Sequence, residues 1–339
     1  IKIKLVTHNS NHTRLSVLKL RGSQSNTNLS TITNWPSSLK VIDLSNNTLV
    51  GNFYSDTPLK YLMHLRLDDN FLTGSLPSIM STMPSLKVFS AKNNKFSGTL
   101  FPPKQQTLLK SNNLRALNVR DNQLSGPLNL SLLKDITPRM FWMDLSLNNF
   151  SGEVVVATTE KQKILMNLHA LRLDDNSFTG KLPNINLLTE LEVFTAKGNN
   201  FSGSCPSFND NIHVFHVQNN NLTGSFNESK LLAKEKSIWI DFSDNDYTSE
   251  ISDNFLRQCN DENTIDILDL TACGELSNPQ HRMHRRKEMK CNFEEDFQEW
   301  DTDEYWINRI KDSEFISHGR KNPQANNNAN NNTSSPNDS

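Results

Sequence analysis

The sequence predicts an α/β solenoid: a right-handed superhelix of about ten to eleven stacked repeats, each giving one short strand to a parallel sheet on the concave side. Three observations carry the prediction. A Leu-type residue opens a short alternating segment at intervals of about 21 to 28 residues. An asparagine recurs at one place in nearly every turn. Only 35% of the 339 residues are hydrophobic, with mean hydropathy −0.58. That is poor for one compact core, but it suits a thin stack in which every turn keeps two faces in water.

The Leu-type position falls at Leu15, Leu39, Leu62, Leu86, Leu114, Met140, Leu168, Leu191, Ile212, Ser237 and Ile265. The residues after it alternate with period two, so they form a strand with two apolar side chains on the core side. The asparagine position is filled by Asn47, Asn70, Asn94, Asn122, Asn148, Asn176, Asn199, Asn220 and Asn245. Its amide can bond backbone groups of the turn leaving the strand, which would otherwise be buried and unpaired. Ser23 holds the place in the first turn and Cys273 in the last. Terminal repeats are atypical because they face solvent on one side.

A second phrase follows the asparagine: FLTGSLP at 71–77, KFSGTLFP at 95–102, SFTGKLP at 177–183 and NFSGSCP at 200–206. With the leucine and asparagine spacing, it resembles the plant-type (LxGxxP) leucine-rich-repeat proteins. In that family such arrays form extracellular parts of receptor-like kinases. The resemblance covers Leu15 to Cys273 and implies a recognition module. The sequence departs from the pattern at two longer inserts, Phe101–Asn113 and Val155–Asn167, and at SDNDYTSEI (243–251), which lacks the glycine. The family's paired-cysteine N-terminal cap does not appear either. The domains expected are a truncated flank at 1–14, the solenoid at 15–273, a C-terminal cap at 274–316 and a disordered Asn-rich tail at 317–339.

A longer period lies over the first. LRLDDN at 65–70 returns at 171–176, and FSAKNNKFSG at 89–98 returns as FTAKGNNFSG at 194–203. Duplication of a four-turn block explains both. The residue between the two strand leucines reads Asp43, Arg66, Ser90, Asn118, Asp144, Arg172, Thr195, His216 and Asp241. Two positions on, it reads Ser45, Asp68, Lys92, Arg120, Ser146, Asp174, Lys197, Gln218 and Ser243. Both columns alternate away from the core and are expected on the exposed concave face. At a strand spacing of about 4.8 Å, Asp68 with Lys92 and Asp174 with Lys197 come within ion-pair reach. An apolar column runs beside them: Val41, Val88, Ala116, Trp142, Ala170, Val193, Val214 and Trp239, interrupted by His64.

Ten such strands make a pre-ordered surface roughly 43 Å long. Pre-ordering lowers the entropy cost of binding. The binding candidates are therefore Arg66, Asp68, Lys92, Asn118, Arg120, Trp142, Asp144, Arg172, Asp174, Lys197, His216, Trp239 and Asp241. Each has a plain alternative. Charges on a sheet face are usually solvated. Trp142 and Trp239 are either binding anchors or packing partners of the neighbouring valines.

A formal net charge of −2 argues against nucleic acid and anionic membranes, which select a basic excess. No apolar run approaches the roughly 20 residues that span a bilayer, so direct membrane insertion is not expected of this stretch. No pair of the four cysteines has C-x-x-C spacing, and neither a metal nor a cofactor is implied. No phosphate loop, kinase signature or nucleophile elbow appears, so an enzyme is not expected.

Within residues 1–273, glycosylation sequons fall at Asn11, Asn28, Asn46, Asn129, Asn149, Asn200, Asn221 and Asn227. The repeat phrase itself generates several, so Asn11, Asn28 and Asn129 are the stronger candidates. In the expected cap, Phe293, Phe297 and Trp300 share one helical face, which either seals the last repeat or binds a partner. The predicted function is protein or peptide binding on the concave face by an extracellular or cell-surface protein. The alternative is a cytoplasmic scaffold of the same fold.

Overall fold

The computed structural model describes residues 15–76, 80–100, 113–131, 138–156, 167–205, 209–224, 239–247 and 266–269. Asn11, Asn227, most of both inserts, Cys259, Cys273, Cys291 and the whole expected cap and tail lie outside these residues. The chain divides into two compact units, Ile1–Met289 and Lys290–Ser339, and every described residue belongs to the first.

That unit is a stack of parallel strands. Its main sheet has eleven, in chain order: Val17–Lys19, Val41–Asp43, His64–Arg66, Val88–Ser90, Ala116–Asn118, Trp142–Asp144, Ala170–Arg172, Val193–Thr195, Val214–His216, Trp239–Asp241 and Asp266–Asp269. Equivalent positions pair from turn to turn, so that Trp142 lies between Ala116 and Ala170. The alternation predicted from sequence is met. Central strand residues such as Leu65, Leu117, Leu171 and Ile240 are wholly buried, and so are Leu67 and Leu173 two positions on.

The nine ladder asparagines bound eight full turns, Asn47 to Asn245. That is slightly fewer than the ten to eleven repeats expected, because the outer strands belong to incomplete turns. Helix is sparse. Leu29–Thr31 and Ile185–Leu187 are single 3-10 turns, each opened by an asparagine (Asn28, Asn184) whose side-chain oxygen accepts the second N–H of the turn.

The ladder works as the chemistry of its amide requires. Asn148 Nδ2 donates to the carbonyls of Val119, Leu145 and Ser146 at 2.9, 3.1 and 3.0 Å. Its Oδ1 accepts the Leu124 N–H of the preceding turn at 3.0 Å. Asn70, Asn94, Asn122, Asn176, Asn199, Asn220 and Asn245 bond in the same way. At the first turn the Ser23 hydroxyl lies 2.9 Å from the Leu20 carbonyl and 3.0 Å from Asn47 Oδ1.

The residue before the ladder asparagine sits in the left-handed region, as at Asp69 (φ 54°), Asp121 (φ 56°) and Asp175 (φ 52°). Asp and Asn tolerate that conformation best among non-glycine residues. This explains the DN and NN doublets, and it gives Asp69 and Asp175 a backbone role.

The phrase after the asparagine builds a second sheet that the sequence analysis did not assign. It has nine parallel strands, Val50–Gly51, Phe71–Gly74, Lys95–Thr99, Gln123–Asn129, Asn149–Val155, Ser177–Lys181, Asn200–Gly203, Asn221–Gly224 and Asp246–Tyr247. The [L/F] of the phrase points inward: Leu72, Phe96, Leu124, Phe150, Phe178, Phe201 and Leu222 are buried. Phe150, Phe178 and Phe201 stack with centroids 5.9 and 6.0 Å apart. The phrase's glycine takes positive φ; at Gly180 (φ 79°) a Cβ would stand 2.7 Å from Glu153 Cγ, so both conformation and space select glycine there.

Candidate functional site

The outer face of the main sheet carries every binding candidate. Turn-by-turn pairing brings them together as predicted: Asp144 stands between Asn118 and Arg172, and Thr195 between Arg172 and His216. The exposure expected of them is not found. Asn118, Asp144, Arg172 and Asp68 are buried, while Arg66, Lys92, Arg120, Asp174, His216 and Asp241 are half-buried and Lys197 is exposed. Trp142 is 2% exposed, which favours packing over an open anchor. Trp239 occupies the equivalent register opposite Val214.

The physical reason is that aspartate and asparagine side chains turn back onto main chain. Asp43, Asn118, Asp144 and Asp241 each accept the backbone N–H two residues on, at 3.0 to 3.1 Å. Asp68 instead reaches the next turn, where Oδ1 accepts the Lys92 N–H at 2.9 Å and the Ser90 hydroxyl at 2.6 Å. Asp174 does the same with the Lys197 N–H at 2.9 Å and the Thr195 hydroxyl at 2.7 Å. The Asp68 and Asp174 carboxylates thus bond the backbone N–H of the two lysines expected beside them, Lys92 and Lys197. The four-turn period in the sequence is a period in these caps. A short polar side chain two residues before a backbone N–H was the available signal, since Asx side chains bond locally. Reading the column for charge alone missed it.

On this face Asp68 and Asp144 are buried with Arg172, Asp174 and Asp241 are half-buried like Arg66, Lys92 and Arg120, and Lys197 is exposed.

Two groups on it are perturbed in opposite senses. Burial lifts the Asp174 carboxyl to about 6, against the bonds from Thr195 and Lys197, with the neighbouring Asp144 charge adding to the rise. Burial lowers His216 to about 4, helped by the Arg172 and Lys197 charges. An acid with a raised folded pKa loses stability as pH climbs from about 4 to 6, because the folded chain then holds the extra proton. A base with a lowered folded pKa loses stability as pH falls from 6.5 to about 4, because the unfolded chain binds the proton. The two offset one another. Thermal midpoints of the unaltered chain should change little between about pH 4 and 6.5. H216Q should then become less stable as pH rises through that window, and D174N more stable. Parallel profiles for the two variants would contradict the assignment.

Cys205, the one cysteine among the described residues, is half-buried, and burial pushes its thiol up to about 12. It is therefore no nucleophile at neutral pH. Of the favoured sequons, Asn28 is exposed and its Oδ1 accepts the Ser30 N–H. Asn129 is half-buried and accepts the Ser131 N–H at 3.0 Å. In both, the bond uses the oxygen and not Nδ2, the atom that carries a glycan. Among the described residues, no helix is long and apolar enough to cross a membrane.

No family model matches the chain. Among curated proteins, Receptor-like protein 35 of Arabidopsis thaliana is 32% identical over 193 residues, which is 54% of this chain and 19% of that protein. The chain thus spans about a fifth of the length of the curated relatives it matches. Among solved structures it resembles the plant peptide hormone receptor RGFR1 in complex with RGF2, with TM-score 0.58 and 22% identity, covering 75% of this chain and 39% of that one. It also resembles the LRR ectodomain of the plant membrane receptor kinase GASSHO1/SCHENGEN3 from Arabidopsis thaliana in complex with Casparian strip integrity factor 2. There the TM-score is 0.55 at 24% identity, over 75% of this chain and 32% of that chain. At these identities the structural likeness speaks to the fold.

Proposed function

We propose that this leucine-rich-repeat chain, similar to plant receptor-like proteins, is a recognition region of an extracellular or cell-surface protein and binds a protein or peptide on the outer face of its main sheet. The observation that carries this reading is the face itself. Strands paired turn on turn hold Lys92, Arg120 and Lys197 at one level of the stack, two residues past the strand level of Arg66. The carboxylates of Asp68, Asp144 and Asp174 are bonded internally. A rigid surface loses little freedom on binding, and the Arg66, Arg120 and Lys197 side chains can meet acidic groups of a ligand. Backbone order and near-neutral net charge both fit a protein partner better than nucleic acid.

The relatives support the extracellular reading over an intracellular scaffold, and a binding role over a catalytic one. Two neighbouring structures are described as complexes, one with RGF2 and one with Casparian strip integrity factor 2. Fold-level likeness alone would be a weak guide; the partner-facing basic side chains add a chemical reason.

The test is charge reversal. A partner captured by cross-linking in its own tissue should lose at least about 10-fold in affinity for R66E/R120E/K197E, equivalent to about 1.4 kcal/mol. The loss should shrink as salt rises. Equal affinity for the unaltered and triple-variant chains would remove this face from the interaction.

A further inference from the structure

We infer that Asn149, Asn200 and Asn221 carry N-linked oligosaccharides, so that the second sheet is clothed in carbohydrate from the turn of Asn149 onward while the main sheet is left open. This rests on the extracellular reading above.

The argument begins with strand alternation. Asn148, Asn199 and Asn220 are buried ladder residues, so the next residue of each extended strand points the opposite way. Asn149, Asn200 and Asn221 are accordingly exposed, each as the first residue of a second-sheet strand. The hydroxyl residue that completes each sequon is the third of the strand and shares that face. Ser151, Ser202 and Thr223 are exposed with them. The Ser202 hydroxyl meets the Gly180 carbonyl only at 3.3 Å, at the long end for an O–H donor.

The repeat does not impose asparagine here. The same position in other turns holds Thr48, Phe71, Lys95, Gln123, Ser177 and Asp246.

Register also leaves room for a bulky group. Asn149 stands opposite Ser125, Asn200 opposite Thr179, and Asn221 opposite Ser202. A small side chain on the preceding turn therefore lies beside each attachment point, where a branched sugar must leave a surface whose strands lie about 4.8 Å apart.

The earlier turns of the same sheet are built differently. Exposed Val50 pairs with exposed Phe71, and the Lys95 ammonium sits 5.4 Å over the Phe71 ring. No sequon stands on that stretch, from Val50 to Gln123. Two of the other described sequons are placed less favourably for this role. Asn129 is half-buried, Asn46 lies in the left-handed turn before Asn47, and the Thr48 hydroxyl donates to the Ser25 carbonyl at 2.9 Å.

The experiment uses the chain recovered from its own tissue, treated with a peptide N-glycosidase in heavy-oxygen water and mapped by mass spectrometry. Heavy-oxygen aspartate at all three positions is the expected result. Label at Asn28 or Asn129 with none at the three overturns the inference and leaves the extracellular reading standing. Label at no sequon overturns both. A second measurement uses S151A, S202A and T223A, exposed changes that leave the fold intact. Each should remove one step of gel mobility from the secreted chain. A triple variant that migrates with the unaltered chain also overturns the inference.

Discussion

Asn148→Ala is expected to cost about 1–3 kcal/mol, although it removes only one small polar side chain. The Leu124 N–H loses its partner, while the carbonyls of Val119, Leu145 and Ser146 each keep a second donor, from Asn122, Asn176 and the Asp121 N–H. A buried group left unsatisfied costs about 1–3 kcal/mol. Asn149→Ala, one residue away and exposed, should stay within about 0.5 kcal/mol in unglycosylated protein. In a stack, each turn touches only its neighbours, so the damage should be local. Hydrogen exchange should show the Leu124 amide opening while the Leu44 and Val217 amides, several turns away on either side, keep their protection. Denaturation midpoints for the two variants that coincide would show that the ladder contributes little.

Phe178→Ala should cost about 3–5 kcal/mol. Phe178 is fully buried and stacks on Phe150 and Phe201 at interplanar angles of 3° and 18°. Each aromatic pair adds about 0.5–1.5 kcal/mol to the area it buries. Phe178→Leu should lose far less, on the order of 1 kcal/mol, because Leu72, Leu124 and Leu222 fill the same slot in other turns. A double-mutant cycle with Phe201 separates stacking from volume. Additive losses at Phe178 and Phe201 would mean that the aromatic column is only space-filling.

Much of the fold was legible in residue order, and for a simple reason. Leu65 and Leu67 are buried because alternation places them there. Asn70 follows them at a fixed distance because its amide must reach its own strand end and the preceding turn together. Such constraints repeat every turn and so leave a period in the chain. The second sheet was not legible as a sheet. Its strands are short and its phrase contains glycine, which a strand pattern discourages; only stacking against similar phrases supplies its hydrogen bonds.

The candidate site divides in the same way. Strand alternation placed Arg66, Asp68, Asp144 and Arg172 on one face, as found. It could not say that Asp68 would turn to the Lys92 backbone or Asp144 to Ser146. A side chain that can be solvated, paired or folded onto an amide has the same letter in all three cases.

Sequence by itself determined the turn length, the inward leucines, the asparagine ladder and the parallel main sheet, because each is enforced locally and identically in every turn. Tertiary structure alone decided the second sheet, the burial of Trp142 and which carboxylates fold onto main chain. Those outcomes depend on what the neighbouring turn offers across a gap of about 4.8 Å, and residues that meet there are some two dozen positions apart in the chain.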